Sequence, residues 1–172
     1  LQKSYFKAHN NLGIIYKELG QMEDAVKSYE KAIDLQPNFA EAHNNLGTTL
    51  QEMGQLDEAA NCYERALVIQ PDYIEVHNNL GNTLNLLGQT DEALNSYKQA
   101  LAINPDYAEA RNNLGIIYHE IGQFDEAIKC YEKVIAINPE NAEAHNNLGV
   151  TLNKLTQFHE AINCYEQALA IN

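Results

Sequence analysis

Basic residues are scarce in this chain: 11 Lys and Arg stand against 24 Asp and Glu, for a net charge of −13. Binding nucleic acid takes clustered cations that displace counterions from phosphates, so this balance argues against such a partner. No apolar stretch approaches the roughly 20 residues that span a bilayer, and no signal-peptide pattern opens the chain. The many asparagines never form the Asn-x-Ser/Thr glycosylation acceptor, so the expected setting is cytoplasmic. Glycines are few and never clustered. They lie 7 or 27 residues apart, which excludes phosphate-binding loops, dinucleotide fingerprints and nucleophile elbows.

What is present is a period. Pro37, Pro71, Pro105 and Pro139 recur every 34 residues, in step with Gly13, Gly47, Gly81, Gly115 and Gly149. Five copies run 6–39, 40–73, 74–107, 108–141 and 142–172, the last truncated, and residues 1–5 read as the tail of a preceding copy. The chain therefore reads as one repeat domain cut from a longer array. Each copy holds Asn-Asn-Leu-Gly, then Glu-Ala or a close variant, then Tyr. Repeats this regular imply stacking of neighbours rather than a closed globule.

The second copy shows how a unit is built. Ala42, Leu46, Thr49, Leu50 and Met53 form the stripe of one amphipathic helix, here called the A helix. Gly54 follows and supplies a left-handed C-terminal cap. Asp57 and Glu58 open a second helix, the B helix, where carboxylates oppose the positive end of the dipole and can cap free amides. Its stripe is Leu56, Ala59, Ala60, Tyr63, Ala66 and Leu67. Pro71 ends it, and Asp72 offers a cap to the next A helix. Gly47 lies inside the A helix at a cost of about 1 kcal/mol, and close packing of the two helices, small residue against Ala59 with Tyr63 alongside, is the expected compensation.

These residues resemble the tetratricopeptide repeat family over 6–172. The resemblance implies an all-α fold, a right-handed superhelical solenoid of five helix-turn-helix units whose concave wall is lined by the A helices. Thr156 and His159 depart from the pattern, standing where other copies carry Gly and an acidic residue, so that corner is expected to be strained or loosened.

Catalysis and metal binding find little support. His9, His43, His77 and His145 share one repeat slot, with Arg111 in the fourth copy, and are spread one per repeat, whereas metal ligands must converge within about 2 Å of one ion. His119 and His159 are isolated and read as surface residues. Cys62, Cys130 and Cys164 also share a slot about one repeat apart, too far for a disulfide, and read as small buried thiols. The acidic pairs are explained by helix starts. Neither a cofactor nor a catalytic group is expected.

The asparagines carry the functional expectation. Asn11, Asn45, Asn79, Asn113 and Asn147, with neighbours Asn10, Asn44, Asn78, Asn112 and Asn146, are expected to project from the A helices as a file of amides matching the backbone of an extended peptide. A competing reading has them link neighbouring helices. Specificity then falls to Ile14, Thr48, Asn82, Ile116 and Val150, followed by Lys17, Gln51, Asn85, His119 and Asn153.

Glu41, Glu75, Glu109 and Glu143 precede the file by one turn, with Lys7 breaking the series. The family's chaperone-tail clamps hold acidic C-termini with cations that are absent from these positions, so a neutral or basic protein segment is the expected partner. Neither nucleic acid nor membrane is expected, and end-to-end self-association is a possibility the apolar last helix raises. The asparagine file is most similar to the arm of protein O-linked N-acetylglucosamine transferases, and also to bacterial tetratricopeptide scaffolds. The leading reading is a non-catalytic interaction scaffold, with the substrate-docking arm of such a transferase, its catalytic domain elsewhere, or a self-assembling structural scaffold as the alternatives.

Overall fold

The computed structural model describes residues 5–171, so the assignment of residues 1–4 to a preceding repeat lies outside the described residues. Those described form ten helices and no strand: α1 (Tyr5–Glu18), α2 (Met22–Leu35), α3 (Ala40–Glu52), α4 (Leu56–Ile69), α5 (Ile74–Leu86), α6 (Thr90–Ile103), α7 (Ala108–Glu120), α8 (Phe124–Ile137), α9 (Ala142–Lys154) and α10 (Phe158–Ile171). Odd-numbered helices are the A helices and even-numbered ones the B helices. Tyr5 already belongs to α1. The helices group into two compact units, residues 1–96 and 97–172, the division falling inside α6.

In the first unit α1 packs on α2 and α3 on α4, while α2 meets α3 and α4 meets α5. In the second, α7 packs on α8 and α9 on α10, with α8 against α9. The expected stripes are the buried ones. Ala42, Leu46, Thr49 and Leu50 on α3 and Ala59, Ala60, Tyr63 and Ala66 on α4 are all buried. The A-helix glycine makes room for the tyrosine ring rather than for an alanine: a Cβ on Gly47 would stand 2.8 Å from Tyr63 Cε1, and one on Gly149 equally close to Tyr165. Burial of the phenols pushes Tyr29 and Tyr63 up to about 12.

Two expectations about helix ends need correction. The acidic pairs do not cap: the N-caps of α2, α4 and α8 are Gln21, Gln55 and Gln123, none with a side-chain cap bond, which places Asp57 and Glu58 already inside the first turn. Their contribution is to the dipole alone, worth about 0.3–1 kcal/mol each. Asp72 does not cap α5 either, because Tyr73 is the N-cap. Only Asn141 among the N-caps with resolved geometry acts as the motif suggests, accepting from Ala144 N at 2.8 Å. The A-to-B corner follows expectation. Gly20, Gly54, Gly88 and Gly122 have φ of 74° to 78°, and Thr156 is forced to φ 60° in the fifth copy.

Candidate functional site: the asparagine face of the A helices

Two consecutive asparagines on a helix point about 100° apart, so Asn-Asn cannot present both amides to one surface. The structure divides them accordingly. Asn10, Asn44, Asn78 and Asn112 are between 0% and 7% exposed, whereas Asn45, Asn79, Asn113 and Asn147 are half-buried and Asn11 and Asn146 are exposed. The buried member of one repeat receives the half-buried member of the next: Asn45 Nδ2 donates to Asn10 Oδ1 (3.0 Å), Asn79 Nδ2 to Asn44 Oδ1 (3.2 Å) and Asn147 Nδ2 to Asn112 Oδ1 (3.3 Å). The glutamates close the same network, with Asn10 Nδ2 donating to Glu41 Oε1 and Asn112 Nδ2 to Glu143 Oε1, each at 2.9 Å.

This corrects part of the expected site. Asn10, Asn44, Asn78 and Asn112 have little free surface to offer a peptide, and the side chains of Asn10, Asn44 and Asn112 lie inside the seam between successive A helices. Asn45, Asn79 and Asn147 have committed one amide hydrogen to that seam, which leaves a second hydrogen and, on Asn45 and Asn79, the carbonyl oxygen; Asn147 Oδ1 accepts from Asn146 Nδ2 at 3.5 Å. Of the variable positions, Ile14, Thr48, Asn82 and Ile116 are half-buried and Val150 is exposed. One turn on, Lys17 pairs with Glu52 (2.8 Å). Gln51 Oε1 accepts from Tyr63 Oη (3.1 Å) and Thr83 Oγ1 (2.9 Å). His119, expected as a plain surface residue, is instead half-buried, with Nδ1 2.9 Å from Thr151 Oγ1 and its ring edge-on to Phe124.

In the first unit these residues line a groove of about 400 Å³ bounded by Ile14, Lys17, Asn44, Asn45, Thr48 and, on its acidic side, Glu18, Glu52 and Glu75. Sequence reasoning missed one device altogether. His43, His77 and His145 place Nε2 2.8–3.0 Å from the carbonyls of Pro37, Pro71 and Pro139, and Arg111 donates to the Pro105 carbonyl in the same slot. The constant spacing of six residues from Pro to His or Arg was the available signal. These side chains tie α3, α5, α7 and α9 to the loops before them. No group of His, Cys, Asp and Glu that would hold a metal occurs among the described residues. The cysteines are free; Cys130 is buried and Cys62 and Cys164 half-buried, and burial pushes the Cys62 and Cys130 thiols up to about 11, where they stay protonated and unreactive.

Paired helices joined at a glycine corner and repeated in register define a helical-repeat protein of the kind that mediates protein–protein interactions. Family models for the TPR repeat match residues 15–54, 49–88, 81–122 and 117–156, and the tetratricopeptide repeat model matches 142–172. The chain belongs to the tetratricopeptide repeat family. Among solved structures it is similar to MamA (27% identity, TM-score 0.86, covering 93% of this chain and 94% of that one). It is also similar to YrrB, described as a TPR protein with an unusual peptide-binding site (26% identity, TM-score 0.78, covering 95% and 84%). Pseudomonas aeruginosa PilF shares the fold at 22% identity, with a TM-score of 0.89 over 99% of this chain and 78% of that one. No curated protein matches the chain. No helix among the described residues is long and apolar enough to cross a membrane.

Proposed function

We infer that the chain is a non-catalytic scaffold that holds an extended, neutral or basic segment of a partner protein against its A helices. The groove of the first unit carries this reading. It combines apolar footholds at Ile14 and the edge of Tyr29, hydrogen-bonding groups at Asn45 and Thr48, and three carboxylates against one lysine that is already paired. An acidic segment meets repulsion there, and a basic one attraction. Asn45 supplies main-chain recognition with the amide hydrogen and carbonyl that the inter-repeat seam leaves over. The peptide-binding site named for YrrB is a precedent for this use of the fold.

The test is calorimetry with synthetic extended peptides of matched length and opposite charge, on the parent chain and on an Ile14→Glu, Thr48→Glu double variant. The parent is expected to prefer neutral or basic peptides, and the variant to lose about tenfold or more in affinity for peptides that use Ile14 as an anchor. Preference for acidic peptides, or equal binding by the variant, would overturn the reading.

A further inference from the structure

The A helices border a second kind of cleft. On α3, Asn45 and Thr48 line the groove already described, whereas His43 lines a cleft of about 400 Å³ with Glu30, Asp34, Asn61, Cys62 and Arg65 of α2 and α4. At about 100° per residue, His43 and Asn45 point to nearly opposite sides of the helix. Two periods further along, within the second unit, the same slots hold Lys98, Ala102, Arg111, Lys129, Cys130 and Lys133. Four of the chain's 11 basic residues thus fall on one face of a molecule whose net charge is −13.

The other copies do not combine them. Glu30, Glu64 and Glu132 stand in the Lys98 slot, His43, His77 and His145 in that of Arg111, and Asn61, Asn95 and Asn163 in that of Lys129. Lys27 and Lys31 match Lys129 and Lys133 in the first copy, but there His9 fills the Arg111 slot. Contacts gather the four cations on one surface. Lys98 Nζ lies 5.8 Å from the centre of the Tyr118 ring, on the side of α7 that carries Arg111 two turns earlier. Lys133 Nζ is 3.4 Å from Asp106 Oδ1, next in the chain to the Pro105 carbonyl that accepts from Arg111. Lys129 is one turn before Lys133 on α8. Burial raises the Cys130 thiol, and the Arg111 charge beside it works against that rise.

The fold does not need these charges. Histidine makes the same tie to the proline carbonyl in three other copies, whereas the arginine leaves its Nε buried with no hydrogen-bond partner. The tie alone does not require that cost. Lys98 is exposed. Lys129 and Lys133 pair with Glu126 (2.6 Å) and Asp106 (3.4 Å), but their side chains are 67% and 50% exposed. Such surface pairs contribute little and open readily to a competing carboxylate.

We propose that this face of α6, α7 and α8 docks an acidic segment of a partner protein, whose carboxylates replace Glu126 and Asp106 on Lys129 and Lys133 and pair with Lys98 and Arg111. Charge complementarity selects the occupant. A nucleic acid is a poorer fit, because its charge runs on past the patch toward a surface that repels it. The site is separate from the asparagine groove and has the opposite charge preference.

Fluorescence anisotropy on the whole chain, with a short labelled peptide of alternating Glu and Ser, tests this. The parent is expected to bind it, more weakly than the groove binds neutral or basic segments because the net charge opposes its approach, and to release it steeply as salt is added. A variant given the residues of the other copies, Lys98→Glu, Arg111→His, Lys129→Asn and Lys133→Gln, is expected to lose about tenfold or more in affinity. Lys129→Asn with Lys133→Gln, altered only at exposed positions, is expected to lose about threefold or more. The groove variant Ile14→Glu, Thr48→Glu is expected to bind the peptide within about twofold of the parent, since exposed charges more than a Debye length away are screened. A parent that does not bind the peptide, equal binding by the variant with all four changes, loss of binding in the groove variant, or tighter binding of a single-stranded oligonucleotide of equal charge would overturn the proposal.

Discussion

The two sides of α3 hold the repeat by opposite means. On one side Gly47 lets the Tyr63 ring lie against the helix backbone, a seam made within a repeat from shape and apolar burial. On the other, Asn44 and Asn45 reach into the repeats after and before, a seam made from amide hydrogen bonds. Both use residues unfavourable to an isolated helix, since glycine and asparagine each cost helix propensity relative to alanine. Each is retained because a tertiary contact offsets that cost, and the two contacts differ in what they join: the ring completes a hairpin, and the amides link one hairpin to the next.

Alkali separates the two seams most sharply, because only the ring seam holds phenols. Tyr29 and Tyr63 have folded values of about 12 against an ordinary 10.0. Desolvation, the largest cause, disfavours the phenolate in the folded state. Their contribution is fully present below pH 10 and is lost as pH rises through the window from 10 to 12, where the unfolded chain ionises first. Thermal melts are therefore expected to fall steeply across that window, and a melting temperature that holds flat to pH 12 would contradict the buried-ring seam.

Smaller, and aimed at one side at a time, are two substitutions on α3. Asn45→Ala removes the amide that satisfies buried Asn10 Oδ1 and is expected to cost about 1–3 kcal/mol by denaturant titration; no loss of stability would return Asn45 to the role of a pure ligand contact. Gly47→Ala drives a methyl into the Tyr63 ring at 2.8 Å. Overpacking of about 1–3 kcal/mol is offset by about 1 kcal/mol of helix propensity, for a net loss near or below that of the asparagine change. A more stable Gly47→Ala chain would show that the ring seam is slack. Least of all, Thr156→Gly relieves the positive φ at the fifth corner and is expected to stabilise by about 1 kcal/mol. A destabilised variant there would mean that the hydroxyl or methyl contributes more than the backbone strain removes.

The fold was legible because its signals are local and repeated. Pro71 stops α4, Gly54 takes the left-handed corner, and a 3.6-residue stripe places Leu46 and Tyr63 inside; three further copies repeat the whole message, and the fifth lacks only the corner glycine and the proline. The strain at Thr156 was visible as a broken register. The site was legible only in part. Whether an amide on a helix faces solvent or the next helix depends on rotations smaller than one residue step, and the sequence does not distinguish Asn44 from Asn45. The partnership of His43 with the Pro37 carbonyl was likewise hidden, since nothing in a histidine names the backbone oxygen it will meet. The expected carboxylate caps failed for a similar reason: moving the N-cap to Gln55 turns Asp57 from a cap into a dipole residue.

By itself, the sequence determined the period, where the helices stop, the left-handed corners and the identity of the buried stripe, because each depends on the conformational limits of a residue and its near neighbours. Only the tertiary structure decided which asparagine of each pair enters the seam, and that Tyr63 rather than Ala59 fills the space over Gly47. Those outcomes depend on distances between residues about one repeat or half a repeat apart in the chain, which are set when helices pack and the competing contacts of one face exclude one another.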